Sequence, residues 1–100
     1  MRQNLIVDPK LGRWWASRLE EEVGHWWVIM WSLHRQQFAA FYRSHWKEGG
    51  ICRTGGTPHE LWAHMREIQH EGRRQAMAAH AAVPPLLVEQ LPDALWRAAG

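Results

Sequence analysis

The 100-residue chain has one cysteine, Cys52, one tyrosine and two phenylalanines. A single thiol excludes an internal disulfide, and with it the stapled frameworks of small secreted domains. Long apolar runs are missing too. The longest, residues 26–31, is six residues, whereas a membrane span needs about 20. Residues 1–10 hold no apolar stretch suited to a signal peptide. These gaps predict a cytoplasmic, soluble protein with no membrane span. Nor does one sign of charge dominate. Twelve Lys and Arg stand against ten Asp and Glu, a net charge of +2, so no overall pull toward nucleic acid follows. With 46% hydrophobic and 22% charged residues, the chain is neither disordered nor collagen-like, and its length is that of one domain.

What the chain has in excess is tryptophan. Eight indoles stand at 14, 15, 26, 27, 31, 46, 62 and 96. Burying all of them would take roughly 1,600 Å² from water. A domain this small hides only about 60–65% of its unfolded surface. Some rings are therefore expected at the surface, where Trp is a preferred interface residue.

Punctuation along the chain divides it into five parts. Residues 1–12 read as an N-terminal arm, with the triplet Leu5, Ile6, Val7 extended and Asp8-Pro9 suited to a helix start. Residues 13–47 read as one long helix. Ser17 and Glu20 have capping-box spacing, and Trp15, Leu19, Val23, Trp26, Met30 and Leu33 follow steps of three and four. Gly24 leaves a second reading open, in which a helix ends there and residues 25–33 form a β-strand, since Trp, Val and Ile favour strands. Residues 48–57 form a Gly-rich loop. Thr57, Pro58 and Glu60 are the N-cap, N1 and N3 of a capping box, opening a second helix over 58–83 with the stripe Leu61, Met65, Ile68, Gly72, Ala76, Ala79, Val83. Pro84-Pro85 ends it, and residues 84–100 read as a short helical segment. The expected fold is all-α: a long helical hairpin with a short C-terminal helical segment, completed by dimerisation.

Four constellations could carry chemistry. Glu22 with His25, and Glu67 with His70, have the Glu-x-x-His spacing of di-iron helical bundles. Against a metal stands the ordinary use of Glu and His on a solvated helix face. Residues 50–57 have P-loop-like glycine spacing but Gly56 where the lysine belongs, leaving only a loop feeding a helix N-terminus. Cys52 in that loop has no residue to orient it as a nucleophile. Last, residues 34–47 mix Arg35, Arg43 and Lys47 with Phe38, Phe41, Tyr42 and Trp46. On a helix, Arg43 and Lys47 share a face that would suit phosphates or an anionic membrane surface. The plainer reading makes the aromatics core and the cations solvated.

The function expected from these residues is a small non-enzymatic interaction module without a cofactor. It self-associates or docks on a protein partner through Trp27, Trp31, Phe38, Trp46 and Trp62, with Arg35 and Arg43 as rim donors. The alternatives are a nucleic-acid-binding accessory protein using Arg35, Arg43 and Lys47, and a metal-binding helical oligomer using Glu22, His25, Glu67 and His70.

Overall fold

The computed structural model describes residues 11–93 and Leu95. The arm residues Leu5 to Val7, the Asp8-Pro9 start signal and Trp96 lie outside them. The fold is not all-α. It is a three-stranded antiparallel sheet with two helices, so the helical hairpin is corrected.

Helix α1 spans Gly12–Val23 and buries Trp15, Ala16, Leu19 and Val23 along one face, the three-and-four spacing of an amphipathic helix. It ends at Gly24, as the second reading of this stretch expects. Gly24 adopts φ +72°, a region that costs other residues, and its N–H bonds to the carbonyl of Glu20. A single 3-10 turn, Gly24–Trp26, leads into strand β1, Trp27–Ser32. A four-residue turn joins β1 to β2, Gln37–Tyr42, and a longer loop joins β2 to β3, Ile51–Gly55. The expected long helix is thus one helix and a β-hairpin. Half of the expected Gly-rich loop, Ile51–Gly55, is strand.

Helix α2 spans Pro58–Ala78. Its start is the predicted capping box. The Glu60 N–H donates to Thr57 Oγ1 at 3.1 Å, and the Glu60 carboxylate accepts the Gly56 N–H at 2.6 Å. The helix stops before the prolines. His80 takes φ +56°, and residues 81–90 form neither helix nor strand. This strap runs back along α2. Arg73 donates to the carbonyl of Pro84, the Leu87 N–H donates to Gln69 Oε1 at 2.6 Å, and Trp62 Nε1–H donates to the carbonyl of Val88 at 3.0 Å. Leu91 and Leu95 close into the core.

Both helices pack on the same face of the sheet. Register places Trp27 opposite Tyr42 and Ile51, Ile29 opposite Ala40, and Trp31 opposite Phe38 and Gly55. Opposed residues share a face. At one end of that face Gly12 of α1 lies directly against the Trp31 ring, and at the other Gly72 of α2 lies against Tyr42. Side chains between them are buried: Trp15, Leu19, Trp27, Ile29, Phe38, Ala40, Leu61 and Met65. The result is a two-layer domain. No described helix is long and apolar enough to cross a membrane.

Candidate functional site

The predicted anchors lie mostly in the core. Trp27 is buried against the Tyr42 ring at 4.8 Å, and Phe38 is fully buried under Trp31 at 4.7 Å. Trp62 is buried and tied to the strap. Trp31 and Trp46 are half-buried, Trp46 standing edge-on to Tyr42 at 6.0 Å. The reason is the period: Trp27, Ile29 and Trp31, and Phe38, Ala40 and Tyr42, alternate along strands and all point toward the helices.

The hairpin also dismantles the basic face expected over residues 34–47. Arg35 sits in the β1–β2 turn and Arg43 just beyond the far end of β2, roughly 20 Å or more along the strand. Lys47 is in the next loop, its backbone N–H bonded to Gln75 Oε1 at 2.7 Å. The three cations therefore fall on separate segments. The Glu-x-x-His pairs fare similarly. Gly24 separates Glu22 from His25, so they share no helix, and Glu67 and His70 are exposed on α2. Among the described residues no three His, Cys, Asp or Glu side chains stand close enough to hold a metal.

An open cleft of about 400 Å³ lies between the β2–β3 loop and α2, lined by His45, Lys47, Glu71, Arg74 and Gln75. Three of its side chains, Glu71, Arg74 and Gln75, bond to one another or to the Lys47 backbone. Arg74 donates to Glu71 at 2.7 Å, Gln75 Nε2 donates to the other carboxylate oxygen at 3.1 Å, and Gln75 Oε1 takes the Lys47 amide. The hydrogen bonds from Arg74 and Gln75 hold the Glu71 carboxyl below its usual range. This network ties the loop to the helix.

The sheet edges are covered as well. On β1 the Ile29 N–H donates to Glu20 Oε2 at 2.8 Å. On β3 the His64 ring lies 2.9 Å from the carbonyl of Thr54. The carbonyl can only accept, so Nδ1 carries the proton. A helix side chain thus occupies a backbone group on each edge, which discourages pairing with a further strand.

Among the described residues, what remains open is the second face of the sheet. Across the strands, Val28, Phe41 and Cys52 form one row, and Met30, Ala39 and Thr54 the next. Ser32 and Gln37 complete the face. None of these eight residues is charged, and Val28, Met30, Ala39, Phe41 and Cys52 are apolar. An antiparallel sheet that meets water on one side ordinarily turns polar residues outward. Here Met30 is 54% and Phe41 41% exposed, Thr54 is exposed as well, and the other five are half-buried. The other exposed large apolar side chains among the described residues, Leu33, Met77, Val83, Leu86 and Val88, lie on turn, helix and strap and share no pleated surface. Sequence reasoning put Met30 on a helix stripe and missed this face. The signal was there: once residues 27–32 and 37–42 are read with period two, both phases are apolar, and one small domain supplies cover for only one of them. Compared with protein-family models, curated proteins and solved structures, the chain matches none.

Proposed function

We propose that the chain is a small, non-enzymatic protein-interaction module that binds through the open face of its sheet. The observation that carries this reading is the apolar, uncharged surface around Phe41 and Met30, on a sheet whose opposite face already holds both helices. Exposed apolar patches of this kind mark interaction sites. Phe41 and Met30 are the anchors, and the capped edges direct the partner to the face rather than to strand addition. The partner is a protein that presents a flat apolar surface of its own, because the face offers no charge with which to hold a polyanion.

A photoreactive phenylalanine analogue placed at position 41, with the same group at exposed position 77 on α2 as control, tests the reading in the living cell. Crosslinks to protein are expected from position 41, not from 77, and Met30→Asp in the same chain is expected to abolish them. Equal labelling at both positions, or crosslinks from 41 that survive Met30→Asp, would overturn the proposal.

A further inference from the structure

Resting on that reading, we infer that the partner is a second copy of this chain, packed face to face through the open sheet about a two-fold axis perpendicular to the strands. The argument is one of shape. Two identical sheets can face each other about an axis lying between them, and a two-fold contact is self-complementary by construction. Let the axis cross the strands at the level of Ile29, Ala40 and Arg53, which lie side by side in the sheet. The rotation then sets each Phe41 over the partner's Ala39, each Met30 over the partner's Val28, and each Thr54 over the partner's Cys52. On the central strand, the largest side chain of the face meets the smallest. On the strand beside it, the long flexible thioether meets a compact branched residue.

Charge agrees with this pairing. None of the six residues is charged, so stacking the face on itself opposes no like charges at its centre. At the rim the same rotation brings Arg43, three residues past Ala40, over the partner's Gln37, three residues before it. A guanidinium donor then meets an amide that can accept. The strands of the two sheets would lie within about 30° of one another, as in other aligned sandwiches.

Size sets the strength. Strands of six, six and five residues, three abreast, make a face roughly 20 Å long and 15 Å wide. That is smaller than the roughly 800 Å² per partner of a standard stable interface. The dimer is therefore one that forms and dissociates, in the micromolar range or weaker.

Sedimentation equilibrium on the full chain, from about 1 μM to about 1 mM, tests the inference. The wild type is expected to move from monomer to dimer over that range. Phe41→Ala removes a ring whose exposed 41% is covered in both copies, and should weaken the dimer about thirtyfold. Ala39→Phe fills the hollow that receives the partner's Phe41 and should leave only monomer. The double variant Ala39→Phe with Phe41→Ala restores a large residue over a small one, and should bring dimerisation back. Positions 39 and 41 both lie on the outward face of the sheet, 41 exposed and 39 half-buried, so far-ultraviolet circular dichroism should stay unchanged in all three. A double variant no tighter than either single one would overturn the pairing. A wild type that stays monomeric while Cys52 alkylates readily would overturn the second copy alone, leaving the crosslink at position 41 to judge the wider reading. A monomer in which Cys52 is shielded from alkylation would overturn both, since the chain itself would then cover the face.

Discussion

Gly72→Ala is expected to destabilise the protein, although the same change in an exposed helix would stabilise it. In a solvated helix interior alanine is better than glycine by about 1 kcal/mol. At Gly72 a Cβ would come within 2.5 Å of Tyr42 Cε2 and 2.8 Å of its Oη. The ring has little room to turn away, with the Trp27 ring at 4.8 Å and the Trp46 ring edge-on at 6.0 Å. Forcing a methyl into such a contact costs about 1–3 kcal/mol. Against the propensity gain, the net loss is about 1 kcal/mol, enough to lower the melting temperature of a domain this size by roughly 5 °C. Thermal unfolding followed by tryptophan fluorescence measures it, with Gly50→Ala beside it as a control, since no atom lies within 4 Å of a Cβ at Gly50. In a Tyr42→Leu background the penalty should shrink, because the obstructing ring is gone. A melting temperature that rises in Gly72→Ala would mean that α2 does not sit on Tyr42, and the packing of the second helix on the sheet would be refuted.

Other outcomes follow from the same arrangement. Phe38→Ala should cost about 3–5 kcal/mol, because Phe38 is fully buried, while Phe41→Ser should change monomer stability by no more than about 1 kcal/mol; urea unfolding of both below the dimerising range compares them. Glu20→Ala removes the charged acceptor of the Ile29 N–H, a loss of about 1.5–3 kcal/mol. It also uncovers the β1 edge, so light scattering should show aggregation growing with concentration, and Glu20→Gln should recover part of the loss. Burial raises the Tyr42 phenol above its usual value, with the Ser44 hydroxyl and the Arg73 charge pulling back. The folded state then keeps a proton that the unfolded chain gives up above about pH 10, so stability should hold below that pH and fall as pH rises past it. Tyr42 is the one tyrosine in the chain, so tyrosinate absorbance reads it alone, and Tyr42→Phe should remove its share of the alkaline fall.

How far the sequence speaks for itself differs by element. The start of α2 was legible because its signals are local: Thr57, Pro58 and Glu60 need only their neighbours to form a capping box, and the stripe Leu61, Met65, Ile68, Gly72 and Ala76 is buried as its spacing predicts. The stretch from Gly24 to Trp46 was not, because tryptophan and other apolar residues crowd it so densely that periods of 3.6 and 2 both find matches. What decides between them is tertiary. One phase, Trp27, Ile29, Phe38, Ala40 and Tyr42, lies under two helices, and a single long helix could not bury it so completely. The abrupt end at Gly24, with its positive φ, was the local hint that outweighed the apolar steps continuing across it. The candidate surface followed the same fate. While 34–47 was read as a helix, Arg35, Arg43 and Lys47 looked like one face and Phe41 like one aromatic among several. As strands, the cations scatter and Phe41 alone among those rings turns to the open side. The strap over 81–90 carries no periodicity of its own, and its place is set by Trp62, Gln69 and Arg73 on a helix far from it in sequence.

The central claim is that this sheet carries one covered face and one bare apolar face that a second molecule closes. Methyl-labelled methionine NMR with a soluble paramagnetic probe tests it most directly, because Met30 lies on the bare face at 54% exposure, Met65 in the core at 0%, and Met77 on the outside of α2 at 62%. In dilute solution the Met30 and Met77 methyl signals should broaden together while Met65 stays sharp; on concentration Met30 alone should become protected. A Met30 methyl as sheltered as Met65 at every dilution, or one that stays as accessible as Met77 at the highest concentration, would contradict the account.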